Sequence, residues 1–494
     1  MSLISKIKRL FDPVDLTKGN ILKIIVPFLI PIVLSALFQQ LYSLTDTVIV
    51  GKTLNPNEVA GVNDVVSMSG LVLNFTIGCT AGFSVIMSRA IGAKDAERTR
   101  KSLFVQILIS FLVSLVLTTI SFLMIDVLLS WIHIYPSQSD ANMQEIYIAA
   151  RTYLRVIFLF GILSQMMYNL FTSILRGIGD SFIPFLFLIA STLLNIGLDL
   201  LFILVFHWGV RGSAIATVLS EAIAALVAFL YLQLRYPQLC FRKEDMHVDF
   251  HFVLQHLRLG IPLGFQWSIL FIGIVIMQAA VIPFDMDPNG IVVLGNPAQV
   301  GYGVSNKLGG FLMTFFSAIG NGLLSFVSQN DGAKAYQRIR DGYKIMTRMT
   351  IIVAVMMTAL GFLLTINGAY QHIFLSPDKI TTATIRFGNL YLYTALPFYI
   401  PLGLIYVGRN FMQAVEKPLY PLLSGVVELL ARTLICLFLP ALINHGPITS
   451  LASDASYIAV CLADPVTWIL SGLTVVIPSV LFLKRMPKET ENRI

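Results

Sequence analysis

Charged side chains are scarce in this sequence. They make up 12% of its 494 residues, against about 25% in soluble domains. Hydrophobic residues supply 56% and the mean hydropathy is +0.79. That deficit excludes a chain of soluble domains and leaves a polytopic membrane protein. Cysteine is sparse too: Cys79, Cys240, Cys436 and Cys461 form no CxxC pair, which argues against a disulfide framework or zinc site and predicts free thiols. The seven histidines (His133, His207, His247, His251, His256, His372, His445) are expected at helix ends or in loops. HVDFHFVLQH gathers three of them in a polar stretch, expected to be a solvated connector, without the HExxH spacing of a metalloprotease. GxSxG and Walker A motifs are missing as well, so no enzyme is expected. The first apolar run is too long for a cleaved leader and lacks a small-residue cleavage site, so none is expected.

What the chain has in abundance is long apolar runs. A span needs about 20 apolar residues, and on that measure twelve are predicted. They lie near 21–50, 59–88, 102–131, 147–175, 182–206, 210–234, 257–284, 298–328, 346–374, 382–408, 418–441 and 457–483. With these spans, 26 of the 34 Lys and Arg fall on the side of the N-terminus, in stretches such as RAIGAKDAERTRK, RYPQLCFRKED, KAYQRIRDGYK and KRMPKETENR. The opposite loops hold only Lys52, Arg211 and Lys379. Positive charge marks the cytoplasmic side, so both termini are expected in the cytoplasm, with the chain in the cell (inner) membrane. The net charge of +7 is then topological, and no nucleic-acid partner is expected.

The sequence also repeats. SRAIGAKDAERTRKSL (Ser88–Leu103) aligns with SQNDGAKAYQRIRDGY (Ser328–Tyr343) at an offset of 240, and LKIIVPFLIP pairs with LRLGIPLGFQ, matching Pro27 to Pro262. The shift spans an even number of helices, so the halves are parallel repeats. The expected organisation is a cytoplasmic segment 1–20, an N-terminal lobe 21–234, a cytoplasmic linker 235–256, a C-terminal lobe 257–483 and a tail 484–494. Repeated halves are a transporter architecture. Pro27 and Pro31 in the first helix and Pro262 in the seventh each remove a backbone donor, so they are candidate hinges.

An acid inside a membrane helix costs about 2.5–3.5 kcal/mol on insertion scales and is functional by default. LYSLTDTVIV carries Asp46 about five residues from the outer end of the first helix. On the fifth, Asn195 and Asp199 are four apart and share a face. Asp199 lies about seven residues before the turn HWGVRG, and Thr217 of the sixth helix about seven after it. At 1.5 Å per residue both sit roughly 10 Å inside the outer boundary. Asp46, Asp199 and Thr217 thus share a depth, with Asn195 about one turn deeper, and two carboxylates, an amide and a hydroxyl are hard oxygen ligands. They suit a proton, because a close buried pair resists double ionisation, and equally a sodium ion. Helix-bridging hydrogen bonds are the competing structural role.

In PFLIPIVLSALFQQLYSLTDTVIVG, in G-A-x-D-A-x-x-x-R (Gly92–Arg100), in LRGIGDSFIP and in LLNIGLDLLFI, the chain resembles bacterial transporters of the multidrug and toxic compound extrusion (MATE) family over essentially its whole length. The resemblance implies an all-α bundle of twelve helices in two six-helix lobes around a V-shaped cavity. It also implies export of organic cations in exchange for H+ or Na+, with Asp46, Asn195, Asp199 and Thr217 as the cation site. Part of the family places acids on the seventh and tenth helices as well, where this chain has Gln266, Gln278, Tyr391 and Tyr393. Glu428 and Arg432, four apart on the eleventh helix, are expected to pair structurally. Ion coupling is therefore placed in the N-terminal lobe.

Gln39, Gln40, Tyr42, Asn74, Gln165, Tyr168, Asn169, Gln266, Gln278 and Tyr399 are the candidate cavity residues, with Met166 and Met167 as adaptable surface. Expected partners are small organic cations or amphipathic drugs and the lipid bilayer, with the protein a monomer. The coupling ion is H+ or Na+, and no cofactor or further metal is expected. A lipid-linked-precursor flippase of the same superfamily is the alternative. Arg151, Arg155, Lys307, Arg386 and Arg432 keep it open, because such proteins carry cationic cavities. A channel is disfavoured by the repeat.

Overall fold

A computed structural model of the chain describes residues 12–137, 140–240 and 242–487. The expectations for residues 1–11 of the N-terminal segment, 488–494 of the tail and Phe241 of the linker lie outside the described residues. The protein is all-α, with no β-strand among the described residues. Twelve helices there are long and apolar enough to cross a membrane: α1 Ile21–Thr53, α2 Pro56–Gly92, α3 Ala96–Leu123, α4 Ala141–Ile178, α5 Phe182–Val205, α6 Gly209–Arg235, α7 Phe250–Asp285, α8 Pro297–Gly332, α9 Tyr336–Gly368, α10 Thr382–Ala414, α11 Leu419–Asn444 and α12 Asp454–Arg485. This is the number read from the sequence.

Local chemistry explains where the boundaries differ. The third predicted span divides at Met124, so that Ile125–Trp131 forms a separate short helix after α3. Pro397 lacks a donor, and α10 tightens into a 3-10 turn over Leu396–Phe398. α9 ends earlier than predicted because Asn367 and Gly368 turn to positive φ. α7 begins at Phe250 rather than 257, and so takes in the end of the predicted linker. His251 stays exposed. His256, expected in a solvated connector, is instead fully buried, bonded to the Ser102 hydroxyl at 2.8 Å and the Phe252 carbonyl at 2.9 Å.

Packing divides the chain into two units: unit 1 is Met1–Ser268 with Ser325–Arg338, and unit 2 is Ile269–Leu324 with Ile339–Ile494. The core of unit 1 is built in several clusters. One joins Met87, Leu103, Leu170 and Leu232, and another Val65, Leu129, Leu154 and Ala214. Unit 2 has a large aromatic core around Tyr302, Phe316, Tyr391, Tyr399 and Trp468.

The repeated loops meet inside unit 1. Lys94 and Lys334 share the same left-handed φ of 57°, and α3 and α9 both start two residues later. A Cβ on Gly92 would fall on the Gln329 carbonyl, and one on Gly332 on the Arg89 carbonyl. Glycine at both positions is thus a condition of contact between the two loops. Arg89 closes the pairing on Asp331 at 2.8 Å. Residues 14–19 are fastened alongside: Val14 donates to the Gly179 carbonyl at 3.0 Å, and Arg338 donates to the carbonyls of Leu16, Lys18 and Gly19.

Candidate functional site

α1 is one continuous helix through both Pro27 and Pro31. On it, Gln39, Tyr42 and Asp46 stand at i, i+3 and i+7, one stripe of the helix. The neighbouring hydroxyls do not serve Asp46. Thr45 bonds back to the Leu41 carbonyl at 2.9 Å and Thr47 to Ser43 at 2.8 Å. Asp46 Oδ1 is buried without a hydrogen-bond partner.

Asn195 and Asp199 are both buried on α5, and α5 ends in a π-turn at Leu201–Val205 just beyond them. Such turns recur at functional sites. With the Asn195 amide oriented to satisfy both its atoms, Nδ2 donates to Asp199 Oδ2 at 3.2 Å and the oxygen accepts the Thr217 backbone N–H at 3.3 Å. The Thr217 hydroxyl, by contrast, donates to the Ser213 carbonyl of its own helix at 3.2 Å. Asp199 Oδ1, like Asp46 Oδ1, is buried and unpartnered. The two carboxylates lie close enough to interact electrostatically.

Tyr42, Tyr153 of α4 and Glu221 of α6 share that field. Tyr153 and Glu221 were missed in the sequence. Tyr153 gives no signal there, but an acid in the apolar run of α6 should have been caught by the criterion that found Asp46. Of the other candidates in unit 1, Gln165 Oε1, Asn169 Nδ2 and Gln266 Oε1 are buried polar atoms with no partner. Asn74 bonds to the Gly70 carbonyl on its own helix at 2.7 Å. Tyr168 is partly accessible, and Gln39 and Gln40 are exposed. Met166 is fully buried, with the Ser114 hydroxyl on its sulfur, so it belongs to the core rather than to an adaptable surface.

In unit 2, Gln278 is exposed, while Tyr399 is 1% exposed and packs edge-on against Phe316 and Trp468. Tyr391, also buried, donates to Asp464 at 2.8 Å. Glu428 and Arg432 do pair, at 3.1 Å, but within a larger network. Arg409 of α10 reaches the other Glu428 oxygen at 2.7 Å, and Arg432 also holds Asp464 of α12 at 2.7 Å. Ser424 and Ser471 complete the shell of Arg409. All four carboxylate oxygens are thereby satisfied, and two positive charges balance two negative.

Among the described residues, the buried carboxylate oxygens without a partner are therefore those of Asp46 and Asp199 in unit 1. Among the described residues no group of three or more His, Cys, Asp or Glu is arranged to hold a metal ion. Two carboxylates with one free buried oxygen each, and an amide spent on positioning one of them, fit a proton or a small monovalent cation. They offer too few ligands for the six to eight oxygens that calcium takes.

Comparison with known proteins places the chain in a family. The MatE family matches residues 31–201 and 294–438, more than half of the chain. A probable multidrug resistance protein of Bacillus subtilis, YoeA, is 28% identical over 81% of this chain and 82% of its own. Two solved structures, described as MATE in the straight and in the bent conformation, superpose with TM-scores of 0.78 and 0.79 at 18% identity, each covering 96% of this chain; 99% of the first and 98% of the second are covered. At that identity they establish the fold alone. The chain is thus a twelve-helix membrane protein that belongs to the MatE family, the multidrug and toxic compound extrusion transporters that its motifs resemble.

Proposed function

We propose that the protein is a secondary active exporter of amphipathic organic cations, driven by antiport of H+ or Na+ at Asp46, Asn195, Asp199 and Thr217. The observation that carries this reading is the pair of buried, unpartnered oxygens on Asp46 and Asp199. An uncompensated carboxylate in a low-dielectric interior is costly, and binding a cation relieves that cost. Asn195 positions Asp199 and links it to α6 through the Thr217 backbone.

Coupling then follows from linkage. The ion binds the two states of the transporter with different affinity, and substrate opposes it. Pro27 and Pro31 supply the place where α1 yields, since neither donates to the helix ladder. That related structures are described as straight and bent supports a family capable of such a change. YoeA, named a probable multidrug resistance protein, supports the substrate class. Both termini are placed in the cytoplasm.

The test is dye efflux in inverted vesicles under separately imposed pH and sodium gradients. Asp46→Asn and Asp199→Asn each keep the shape of the side chain and remove the charge, so each should cut gradient-driven transport at least tenfold. Wild-type coupling in both variants overturns the assignment.

A further inference from the structure

Residues 12–19 run directly into α1, separated from it only by its cap Asn20. Inside unit 1 they are held from two sides. One side belongs to the first half of the sequence. Val14 donates its N–H to the Gly179 carbonyl at 3.0 Å, and a Cβ on Gly179 would fall on the Val14 carbonyl. Asp12 pairs with Arg235, at the end of α6, at 3.0 Å. The other side belongs to the second half. Leu16, fully buried, donates its N–H to Gln329 Oε1 at 3.3 Å. Its carbonyl accepts from Asn330 Nδ2, Arg338 Nε and Arg338 Nη2, each at 3.1 Å. Arg338 also donates to the Lys18 carbonyl at 2.8 Å and the Gly19 carbonyl at 2.6 Å. Gln329 then joins the two sides directly, donating to the Gly177 carbonyl at 2.7 Å.

This grip is not a by-product of the repeat. Arg98 is the counterpart of Arg338 at the offset of 240, yet its guanidinium lies over the Phe252 ring, 5.5 Å from the centroid, and donates to the Gln255 side chain at 3.5 Å. Arg338 instead turns the donors of its planar fork onto the main chain of one short segment. Where that segment crosses, the two repeated loops already touch through Gly92 and Gly332, and Arg89 pairs with Asp331. Substrate that enters from the side of the Lys- and Arg-rich loops has to part this seam. Hydrogen bonds to carbonyls can be exchanged for water at small net cost, so contacts of this kind hold a state and still release it. Leu16 is the one buried apolar anchor of the segment.

We propose that residues 12–19 are a strap that latches this side of unit 1 shut, with Arg338 as its clasp. The strap continues into α1, so its release frees the helix that carries Pro27, Pro31 and Asp46. Admission of substrate and movement of the ion-binding helix are then one step. This rests on the efflux reading above, which makes that side the side of entry, and adds the device that opens it.

Two measurements on the full-length chain test it, both with Cys240→Ser, which removes the one native thiol that is partly accessible. In the first, Lys18→Cys and Arg338→Cys put thiols in place of the clasp, and a short reducible bis-methanethiosulfonate links them. Linking should cut gradient-driven ethidium transport in proteoliposomes about tenfold or more, because a gating step is blocked, and dithiothreitol should restore it. In the second, Ser328→Cys places a thiol beside Gln329, at a fully buried hydroxyl without a hydrogen-bond partner. In nanodiscs its labelling by a water-soluble maleimide should quicken about tenfold or more with Arg338→Gln, the scale of lost hydrogen bonds to a charged group. Arg338→Lys, which keeps the charge without the fork, should fall between. The buried Cys436 and Cys461 should stay unlabelled throughout, which separates unlatching from unfolding. A linked pair that transports as fast as the reduced one overturns the proposal. So does labelling of Ser328→Cys that Arg338→Gln leaves unchanged. Failure of the efflux reading looks different: wild type then moves no ethidium under either gradient, while the labelling still decides the strap.

Discussion

At the scale of single residues, two clusters of acids inside the helices, one in each unit, handle buried charge in opposite ways. Unit 2 encloses Glu428, Asp464, Arg409 and Arg432, each less than one-tenth exposed, and satisfies every carboxylate oxygen. Unit 1 leaves oxygens of Asp46 and Asp199 without partners. A carboxylate whose oxygens are all held resists change, because breaking its contacts strands a charge. Glu428→Gln would leave Arg409 with Ser424 and Ser471 but no carboxylate, and Arg432 with Asp464 alone. Losing one partner of a buried pair costs about 3–5 kcal/mol, so the variant should unfold at a clearly lower temperature, while transport per folded molecule is retained. Adding Arg409→Met should restore part of the loss, since the stranded guanidinium goes with it. Thermal unfolding of the two variants against wild type reads both effects. Half of this network was visible in the sequence, because Glu428 and Arg432 are one turn apart on a single helix. Arg409 and Asp464 come from other helices, and only packing shows that they converge. The opposite holds for Asp46, Asp199 and Thr217: their common depth follows from counting residues along each helix, which needs no packing.

Among the helices and loops, the repeat was the most legible feature. The offset of 240 seen in GAK and its flanking arginines reappears as identical backbone at Lys94 and Lys334 and identical starts of α3 and α9. What the sequence did not disclose is that the two copies touch, because symmetry fixes the shape of each loop and not its neighbour. The contact makes Gly92 and Gly332 intolerant of any side chain. Gly92→Ala and Gly332→Ala each force backbone apart, so each should destabilise by about 1–3 kcal/mol, the cost of overpacking. Gly51→Ala is the control: it is also helical but has open space where its Cβ would go. It should be neutral or slightly stabilising, by up to about 1 kcal/mol.

The linker carries a clamp of its own. Asp245, 1% exposed, accepts from Arg100 Nε at 2.8 Å and from the Arg242 backbone N–H at 3.0 Å. Burial opposes its ionisation, but the Arg100 hydrogen bond and the positive charge of Arg100 and Arg242 prevail, holding the carboxyl below its ordinary range. A folded-state value depressed in this way adds stability that is complete above the unfolded value of about 3.9 and is lost as pH falls through the folded one. Asp245→Asn should therefore cost about 1.5–3 kcal/mol, the worth of a hydrogen bond to a charged group, at pH 7. The gap to wild type should start to narrow below about pH 4 and go on narrowing as pH falls through the depressed folded-state value. Unfolding curves across the acid range measure it, and a gap that does not narrow as pH falls below about 4 would mean the loss is steric.

At the scale of the whole molecule, the expected orientation rests on where Lys and Arg fall along the chain. The twelve helices give an even count, so the described ends near Asp12 and Pro487 lie on one side whichever way the protein inserts. The 26 Lys and Arg gathered on that side favour the cytoplasm through the positive-inside bias. The native cysteines offer a direct measurement. Cys79, Cys436 and Cys461 are buried, and only Cys240, in the linker after α6, is partly accessible. Leu294, in the loop between α7 and α8 on the opposite side, is 98% exposed. A membrane-impermeant maleimide applied to intact cells should label Leu294→Cys and leave Cys240 unlabelled until the membrane is opened. The reverse pattern would put the Lys- and Arg-rich loops outside. It would also turn the proposed exporter around, because Asp46 and Asp199 would then lie near the cytoplasmic face, where the coupling ion is released instead of captured.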